Sequence, residues 1–344
     1  MVDDLCKEIA WVEFLTIFTS HKTIPMALLK RINEKAKSYL NSGFGVNTNS
    51  YGGRFVNKNG KANVEKSGMS LLNRISWYHT MIDMPTWKFM AILLSFYVFI
   101  NLFFALLYFA IGIEYLNGID PSGSEWVKFG QTYFFSAQTF TTVGYGHISP
   151  SGFLASTVSA LEALIGLLSF AIATGLFFGR FSKPKAFLKF SHNAIIAPYK
   201  EMTALMIRLT PYKNTDLTDA EAKITVGISI EEEGVMKNKF YSLDLELDKI
   251  NALTLSWTLV HPITEDSPLY QFTKEDFETI NGEILVFIKT FDDMFSNTVA
   301  IRTSYTFGEV VYGAKFQPMY SRNDDNTKTV LHLDKLNHFD AVSL

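Results

Sequence analysis

Two long apolar runs, separated by a single loop, limit what this chain can fold into. The first run, Phe89–Ile113, contains no formal charge, and its most polar member is Asn101. As a helix it would be roughly 37 Å long, which is enough to cross about 30 Å of hydrocarbon with some tilt. The second run, Phe153–Phe178, carries one charge, Glu162. The two runs therefore predict two membrane-spanning helices.

The loop between these runs contains the segment Thr139–Gly146, which reads Thr-Phe-Thr-Thr-Val-Gly-Tyr-Gly. Backbone carbonyls that point at one axis can replace the water of a dehydrated K⁺ ion, and Thr-Val-Gly-Tyr-Gly loops are the known solution. Gly144 and Gly146 supply backbone dihedrals that residues with a Cβ resist. We predict that K⁺ binds at Thr142–Tyr145. The predicted filter residues are Thr142, Val143, Gly144, Tyr145 and Gly146, with the side chains of Val143 and Tyr145 packed behind the filter.

A filter of this kind needs four loops around one axis, and this chain has one, so we predict a homotetramer. In a soluble protein a Gly-Tyr-Gly sequence is more often a surface turn, but the position between two membrane runs reverses that preference. Residues Trp126–Gln138 predict a short pore helix, so that pore helix and filter together cover 126–146. The C-terminal end of that helix would place partial negative charge where a cation waits.

Glu162 needs an explanation, because a carboxylate near the centre of a membrane helix costs on the order of 2.5–3.5 kcal/mol even on insertion scales. Two functional interpretations remain open, a polar contact behind the filter and a lining of the cavity. The alternative is a neutral, protonated Glu, and we favour a functional interpretation over it.

Basic residues in the flanks predict the orientation of the two helices. The loop Glu114–Gly152 has Lys128 as its only base. Both outer flanks are rich in bases, namely Lys58, Lys61, Lys66, Arg74 and Lys88 on one side and Arg180, Lys183, Lys185 and Lys189 on the other. We therefore expect a multi-pass protein of the cell (inner or plasma) membrane with both termini cytoplasmic.

Around the membrane region the chain divides into further segments. Leu71–Met84 predicts an amphipathic interfacial helix directly ahead of the first span, which we favour over a soluble helix packed on a core. The predicted organisation is an N-terminal segment of open role at 1–45, a cytoplasmic linker with a strand at 46–70, the interfacial helix at 71–84, a pore domain at 85–182 with spans of about 87–113 and 153–178, and a β-domain at 183–344.

The β-domain is predicted from apolar residues that alternate with polar ones. Such alternation occurs in Ile224–Ile230, Leu243–Leu247 and Leu253–Leu259, and it indicates half-buried antiparallel strands of a sandwich. Glu283–Phe291 predicts a more fully buried strand. Thr273–Ile280 begins with a capping-box pattern and predicts a helix.

Composition and motifs exclude several classes of function. The net charge is −3 and the single cysteine is Cys6, so neither nucleic-acid binding nor a disulfide is expected. The sequence has no phosphate-binding loop, nucleophile elbow, dinucleotide fingerprint or metal-ligand spacing. We therefore predict no enzyme activity and no cofactor apart from K⁺ ions in the filter, and the β-domain reads as a sensing or assembly module.

Two spans, one filter and a β-sandwich together resemble the inward-rectifier potassium channel family, most closely its bacterial branch. The resemblance covers residues from Arg54 to about Phe339, and the pair of cysteines that flanks the pore loop in animal members is absent. Local matches lie at residues 54–64 (the family's N-terminal strand), 161–166 and 173–181 (the bacterial inner helix), and 190–194, 267–270 and 302–305 (the cytoplasmic domain). The fold that this resemblance implies is membrane α plus all-β: two transmembrane helices with a re-entrant pore helix and filter, then a cytoplasmic immunoglobulin-like β-sandwich.

The resemblance also implies where the channel is gated and regulated. Phe178 matches the crossing of the inner helices, where four rings form an apolar gate, with Gly166 and Gly175 as flexible points of the helix. The segment Asn297–Thr303 matches a second constriction at the apex of the cytoplasmic pore. The residues that match the family's site for anionic phospholipid or phosphoinositide are Trp87, Lys88, Arg180, Lys183 and Lys185. The alternative for these bases is positive-inside topology alone.

The sequence departs from the family in ways that bear on rectification. Strong rectifiers carry an acid in the inner helix that holds polyamines or Mg²⁺, and Phe170 stands at that position. Asp293 best matches an acid of the cytoplasmic pore, so the resemblance implies Mg²⁺ or polyamines as blockers. His147 follows the filter where many potassium channels carry Asp. Two other functions stay open, namely the same pore gated by a small ligand in the sandwich and a non-conducting, membrane-anchored binding scaffold.

Overall fold

A computed structural model describes residues 54–70, 76–232 and 235–344. The predicted N-terminal segment 1–45, the linker residues 46–53 and the first residues of the interfacial helix, 71–75, lie outside the described residues. The chain forms two compact units. The membrane unit is Lys66–Lys183, and the β-unit is Pro184–Leu344 together with residues 54–65.

The membrane unit is built from four helices and one small pair of strands. The helices are α1 (Trp77–Asp83), α2 (Thr86–Ile111), α3 (Glu125–Phe140) and α4 (Phe153–Phe181). Strands β1 (Leu116–Asn117) and β2 (Ser149–Pro150) pair antiparallel across the loop that joins α2 to α4. A short 3-10 helix, Ile113–Tyr115, follows α2.

Helices α2 and α4 are long and apolar enough to cross a membrane. A core helix of a soluble protein would be covered by its own chain, but only 17% of the most apolar stretch of α2 and 11% of that of α4 is buried. Their apolar surface is therefore available to lipid or to other copies. The α2 helix ends at Ile111, two residues before the predicted end, because Gly112 turns the chain with a φ of 122°. The α4 helix continues to Phe181, three residues beyond the predicted end of the span.

The described part of the predicted interfacial helix is α1, with Trp77 and Tyr78 both exposed. It ends at Asp83 because Met84 precedes Pro85, and a residue before proline is forced out of the helical region. Met84 accordingly has an extended ψ of 156°.

The β-unit contains two five-stranded sheets. Their strands are β3 (Leu188–Phe190), β4 (Ala194–Tyr199), β5 (Met202–Pro211), β6 (Leu217–Glu232), β7 (Val235–Leu243), β8 (Lys249–Ala252), β9 (Trp257–Pro262), β10 (Gly282–Asp292), β11 (Asn297–Thr306) and β12 (Val310–Tyr312). The first sheet has the order β11-β10-β6-β7 with β8 also paired to β6, and the second has the order β12-β4-β5-β3 with β9 also paired to β5. All pairs in these two sheets are antiparallel except β12 with β4.

The remaining elements are small. Two short antiparallel pairs are β13 (Ala314–Phe316) with β16 (Phe339–Ala341), and β14 (Tyr320–Arg322) with β15 (Thr329–Leu331). Two 3-10 helices cover Phe307–Glu309 and Leu333–Asn337. The helix α5 covers Lys274–Thr279, and its N-cap Thr273 forms a capping box with Asp276, which confirms the predicted helix start.

The predicted sandwich is confirmed by the core between the two large sheets. Alternate residues of β6, including Ile224 and Val226, share one buried cluster with Leu205 and Ile207 of β5. Each strand thus turns one side inward, as alternation with a period of two requires.

Two predicted strands are partly wrong. Strand β7 stops at Leu243, because the chain then leaves the first sheet and the Glu246 N–H donates to the Val260 oxygen of β9 at 2.9 Å. In Leu253–Leu259, the strand begins only at Trp257. Leu253 is buried in the connection between the sheets, so its apolar character reflects core packing rather than a strand.

Candidate functional site

The segment after α3 has an unusual backbone in which every second residue is left-handed. Thr142, Gly144 and Gly146 have φ values of 56°, 51° and 83°, respectively. In an extended strand successive carbonyls point to opposite sides, whereas alternation of left-handed with other conformations allows them to share one side. This arrangement suits a column of carbonyls offered to one cation.

The first residues of this segment are hydrogen-bonded to α3, the predicted pore helix. The Val143 N–H donates to the Gln138 oxygen at 2.9 Å, and the Gly144 N–H approaches the same oxygen at 3.4 Å. The Thr142 N–H donates to the Thr139 oxygen at 3.0 Å. The position of α3 therefore fixes the position of the filter residues.

Within one chain the predicted filter is open on its side-chain face. Val143 is 54% exposed and Tyr145 is 76% exposed, so the predicted packing of these side chains behind the filter is not provided by the chain's own residues. An apolar groove of about 800 Å³ lies beside Thr142, the first residue of the predicted filter. Its lining also includes Phe140 and Phe170. Phe170 is thus on the surface that continues below the filter.

Glu162 is not among the residues that line this groove. It is fully buried, its Oε2 accepts a hydrogen bond of 2.6 Å from the Tyr108 hydroxyl, and its Oε1 contacts the Ser136 hydroxyl of α3. Of the interpretations left open by the sequence, the geometry supports a polar contact behind the filter. The assignment of Glu162 to the cavity lining is wrong, because a side chain with no exposed surface in one chain cannot face the cavity of an assembly.

The two glycines predicted as flexible points lie in an uninterrupted helix α4. Gly166 is buried against the pore helix, and a Cβ there would overlap the Phe140 carbonyl oxygen. Its absent side chain permits close helix packing. No atom of the described chain lies near the Cβ position of Gly175. The proposed gate residue Phe178 is three residues before the end of α4, with its ring 73% exposed.

The predicted lipid-binding bases have different surroundings. Lys88 lies over the exposed Trp87 ring, 5.4 Å from its centre. Lys183, at the end of α4, forms an ion pair with Asp83 of α1. Lys185 is exposed at the start of the β-unit. Lys88 and Lys185 are therefore open to an anion, whereas Lys183 is shared with an acid.

Arg180 is largely occupied by contacts within the membrane unit. Its guanidinium donates to the carbonyl oxygens of Met81, Ile82 and Met84 at 3.2, 3.1 and 2.6 Å, and to Thr86 Oγ1 at 3.0 Å. It thereby caps the C-terminal end of α1, where the helix dipole favours a cation. Sequence reasoning missed these acceptors and Asp83. A helix ending directly before Pro85 was the available signal, since its last carbonyls need donors.

The predicted second constriction needs correction. Asn297–Thr303 is not a loop, because these residues lie within β11 and pair in register with β10. The apex of this hairpin is the turn Asp293–Ser296, in which Ser296 has a φ of 48°. Asp293 is exposed there, and its carboxylate accepts a hydrogen bond of 3.4 Å from the Thr218 hydroxyl.

Residues 54–63, which match the family's N-terminal strand, form a tight hairpin with one bridge between Val56 and Ala62. Two acids of the β-unit hold this N-terminal hairpin. Arg54 pairs with Glu309 at 2.6 Å, and the buried Glu283 accepts the Val56 N–H at 3.1 Å. Neither acid could be recognised from the sequence, because both are more than 200 positions away along the chain.

Hydrogen bonds and charges keep Glu309 ionised in this contact. Partial burial acts to raise its pKa, but the Thr306 N–H, the Arg54 guanidinium and the nearby Lys58 together hold the pKa below its ordinary value.

Known proteins match both units. A family model for the inward rectifier potassium channel C-terminal domain matches residues 188–343, and an ion channel model matches residues 86–183. The inward rectifier potassium channel Kirbac3.1 of Paramagnetospirillum magnetotacticum is 30% identical over 282 residues, which cover 80% of this chain and 92% of that protein. The ATP-sensitive inward rectifier potassium channel 12 of Gallus gallus is 28% identical and that of Bos taurus 25%, each over 77% of this chain and 67% of the relative.

These relatives are ion channels rather than enzymes, as expected from the sequence. The similarity extends across the membrane helices, the filter segment and the β-sandwich, which confirms the predicted fold class. The chain belongs to the inward rectifier potassium channel family, in its bacterial branch.

Proposed function

We propose that four copies of this chain form a K⁺-selective channel that conducts passively through a filter made by Thr142–Gly146. The observation that carries this proposal is the alternation of left-handed residues at Thr142, Gly144 and Gly146, anchored to Gln138 of the pore helix. Such a backbone allows successive carbonyl oxygens to face one side, where they can replace the hydration shell of a K⁺ ion. The ion binds at Thr142–Tyr145 and is the cargo of the protein.

Two features support assembly around a fourfold axis. One chain supplies carbonyls from one side only, so a complete ion cage needs further copies. The exposed Val143 and Tyr145 side chains and the apolar groove beside Phe170 are surfaces that neighbouring copies would cover. An isolated chain would expose this apolar area next to a water-filled pathway, which is unfavourable.

The distribution of bases supports a plasma-membrane or inner-membrane protein with both termini cytoplasmic. The α2–α4 connection carries a single base, Lys128, and it is therefore the outer side from which the filter enters the membrane. The β-sandwich is then cytoplasmic.

Gating is proposed at the cytoplasmic end of α4. Four exposed Phe178 rings around the axis would form an apolar constriction that closes by dewetting. The turn Asp293–Ser296 of the β10–β11 hairpin is the candidate for a second constriction. Block by Mg²⁺ or polyamines is expected to be weak, because Phe170 supplies no charge inside the membrane and Asp293 is the remaining matching acid.

Anionic phospholipid or phosphoinositide is the proposed regulator. The bases that support this are Lys88 and Lys183 at the ends of the membrane helices, together with Lys185, because each base near a charged leaflet contributes about 1 kcal/mol. Arg180 acts through α1 rather than through lipid, and Trp87 supplies an amphipathic ring of the kind found at membrane interfaces.

The proposed function is tested by ion uptake into liposomes that contain the purified full-length protein. We expect Rb⁺ and K⁺ uptake to exceed Na⁺ uptake by a large factor. Gly144→Ala should abolish uptake while tetramers remain assembled, because a Cβ resists the left-handed backbone at this position. Gly308→Ala is the matched control, since Gly308 has no left-handed φ and, among the described residues, no atom lies near its Cβ position.

Equal Na⁺ and K⁺ uptake by intact wild-type tetramers would overturn K⁺ selectivity. No uptake of either ion would instead favour the non-conducting scaffold. If Gly144→Ala conducted as well as Gly308→Ala, the filter assignment would be wrong.

A further inference from the structure

A buried polar junction joins the three long helices of the membrane unit behind the filter. Its members are Asn101 and Tyr108 of α2, Ser136 of α3 and Glu162 of α4, each at most 1% exposed. We propose that Glu162 carries a proton and, through Ser136, acts as the positioning residue that holds the pore helix and the filter in the K⁺-selective geometry. This inference rests on the proposed function of the filter.

The hydroxyl group of Ser136 lies between Glu162 of α4 and Asn101 of α2. It is within hydrogen-bond distance of three oxygens: Oε1 of Glu162, the main-chain oxygen of Asn101 at 3.1 Å and Oδ1 of Asn101 at 3.2 Å. The orientation of the Asn101 amide is fixed, because its nitrogen donates to the Tyr97 oxygen at 2.6 Å. Ser136 has one proton and can donate it once.

The protonation state of Glu162 decides how many of these contacts have a hydrogen-bond donor. With an ionised Glu162, Ser136 would donate to the carboxylate, and no proton would remain between Ser136 and either oxygen of Asn101. With a proton on Oε1, Glu162 donates to Ser136, Ser136 donates to Asn101, and Tyr108 donates to Oε2 at 2.6 Å. The protonated form therefore supplies one proton to the Glu162–Ser136 contact and leaves the Ser136 proton for Asn101, where either oxygen can accept it.

The electrostatic surroundings agree with this count. In the described part of the chain, no ion pair joins a Lys, Arg or His side chain to Glu162, and the site lies within the apolar region of α4. Burial of an unpaired carboxylate carries a large desolvation penalty, whereas a neutral, hydrogen-bonded carboxyl group avoids it.

The junction reaches the filter through a short path. Ser136 is two residues before Gln138, whose oxygen receives the N–H groups of Val143 and Gly144. One helical turn after Glu162, Gly166 packs against the Phe140 carbonyl, so α4 holds α3 at two successive points on one face. A shift of α3 at Ser136 is thus transmitted to the first carbonyls of the filter.

The test compares Glu162→Gln with Glu162→Leu in full-length channels in liposomes, with the ratio of K⁺ to Na⁺ uptake as the readout. Gln has a donor for Ser136 and an acceptor for Tyr108, so the ratio should stay within about twofold of wild type. Leu removes the contact of Ser136 and of Tyr108 with α4, so the ratio should fall about tenfold or more. A merely structural loss would reduce the number of assembled channels and leave this ratio unchanged.

Two further variants keep the test decisive. Ser136→Ala removes the same contact from the pore helix and should also lower the ratio, including in the case that Glu162→Leu does not assemble. Leu161→Ala, at an exposed position next to Glu162, is the control and should keep the wild-type ratio.

Three outcomes would contradict the inference. A ratio for Glu162→Gln as low as for Ser136→Ala means that the ionised carboxylate is needed. A wild-type ratio in Ser136→Ala means that the junction does not position the filter. A wild-type channel without K⁺ selectivity overturns the proposed function, and with it this inference, whereas a selective wild type with insensitive variants overturns the inference alone.

Discussion

Two glycines of one helix, Gly166 and Gly175, have different surroundings. The Cβ of an alanine at Gly166 would overlap the Phe140 carbonyl oxygen, whereas the Cβ position at Gly175 is open within the chain. We expect Gly166→Ala to destabilise the protein by about 1–3 kcal/mol, because the backbone of the pore helix must move. Gly175→Ala should be neutral or stabilising by up to about 1 kcal/mol, since alanine favours the helix.

The measurement is the thermal unfolding of both variants in the same detergent, together with the K⁺ to Na⁺ uptake ratio. Equal stability of the two variants would show that the close approach at Gly166 is not required. A large loss of flux in Gly175→Ala at unchanged stability would instead support the flexible point that the resemblance implies.

His261 provides a second prediction at the scale of single residues. It is buried in the β-unit, where its Nδ1 donates to the Asp244 oxygen at 2.6 Å and its Nε2 contacts the Ser267 hydroxyl at 2.8 Å. Burial lowers its pKa, although the hydrogen bond to Asp244 opposes this. The folded state therefore binds the second proton of the ring less readily than the unfolded chain.

The sign of the pH dependence follows directly. The stabilising effect is complete above the unfolded pKa of about 6.5, and it is lost as the pH falls from there through the lower folded pKa. We expect the melting temperature of the full-length protein to decline between pH 7 and pH 5, and to decline less in His261→Asn. Parallel curves for the two proteins would mean that other groups cause the acid sensitivity.

At the scale of elements, the C-terminal ends of α1 and α4 are joined by hydrogen bonds and an ion pair. Arg180 caps the last carbonyls of α1, and Lys183 pairs with Asp83 on the same helix. Any rotation of the end of α4 must therefore move α1 or break these contacts. The interfacial helix and the proposed gate are mechanically connected within the membrane unit.

These contacts between α1 and α4 are an example of what the sequence does not predict. The two spans and most strands follow from apolar runs and alternation, which are local properties, and the proposed filter rests on a short local motif. Arg180 has acceptors 94–99 positions away, so a base in a basic flank could not be recognised as a helix cap. Glu162 was recognisable as costly, but its partners Tyr108 and Ser136 depend on how the helices pack.

Phe178 gives the prediction that belongs to the end of α4. Replacement by alanine removes the ring that is proposed to exclude water and hydrated ions from the closed bundle, so Phe178→Ala should raise the resting K⁺ uptake several-fold. Phe181→Ala is the matched control. The Phe181 ring is also exposed but stacks on Phe177, which in turn contacts Phe89 of α2.

The comparison of resting uptake at equal amounts of protein decides this prediction. Unchanged or lower uptake in well-assembled Phe178→Ala would move the gate to the turn Asp293–Ser296. An equal rise in both variants would assign the effect to a loosened helix end rather than to one ring.

At the scale of the whole molecule, two covalent links connect the β-unit to the membrane unit, at residues 65–66 and 183–184. The first leads towards α1 and the second leaves α4. The N-terminal hairpin, which precedes the first link, is held to the rest of the β-unit by Glu283 and Glu309. Lys183 is the last residue of the membrane unit and pairs with Asp83 of α1, so a ligand that binds this lysine would act close to the end of the helix that carries the proposed gate.

This connection leads to the prediction for anionic lipid. Titration of a phosphoinositide into neutral liposomes should change K⁺ uptake by the wild type, and Lys183→Gln, Lys185→Gln should require more lipid for the same change. In the wild type a headgroup competes with Asp83 for Lys183, so Asp83→Asn should respond at lower lipid content. The prediction fixes the order of these titrations and not the sign of the effect, because a ligand shifts a gate only by its differential affinity for the two states.

A charge-matched control separates lipid binding from net charge. Lys274→Gln, Lys328→Gln removes two exposed lysines that lie far along the chain from either membrane helix, and its titration should overlay that of the wild type. Added salt should weaken the wild-type response, because contacts between exposed charges are screened within about 10 Å at 0.1 M. If Lys183→Gln, Lys185→Gln follows the wild-type curve as closely as this control does, the two lysines serve membrane topology, and the Asp83–Lys183 pair serves only to hold α1 against α4.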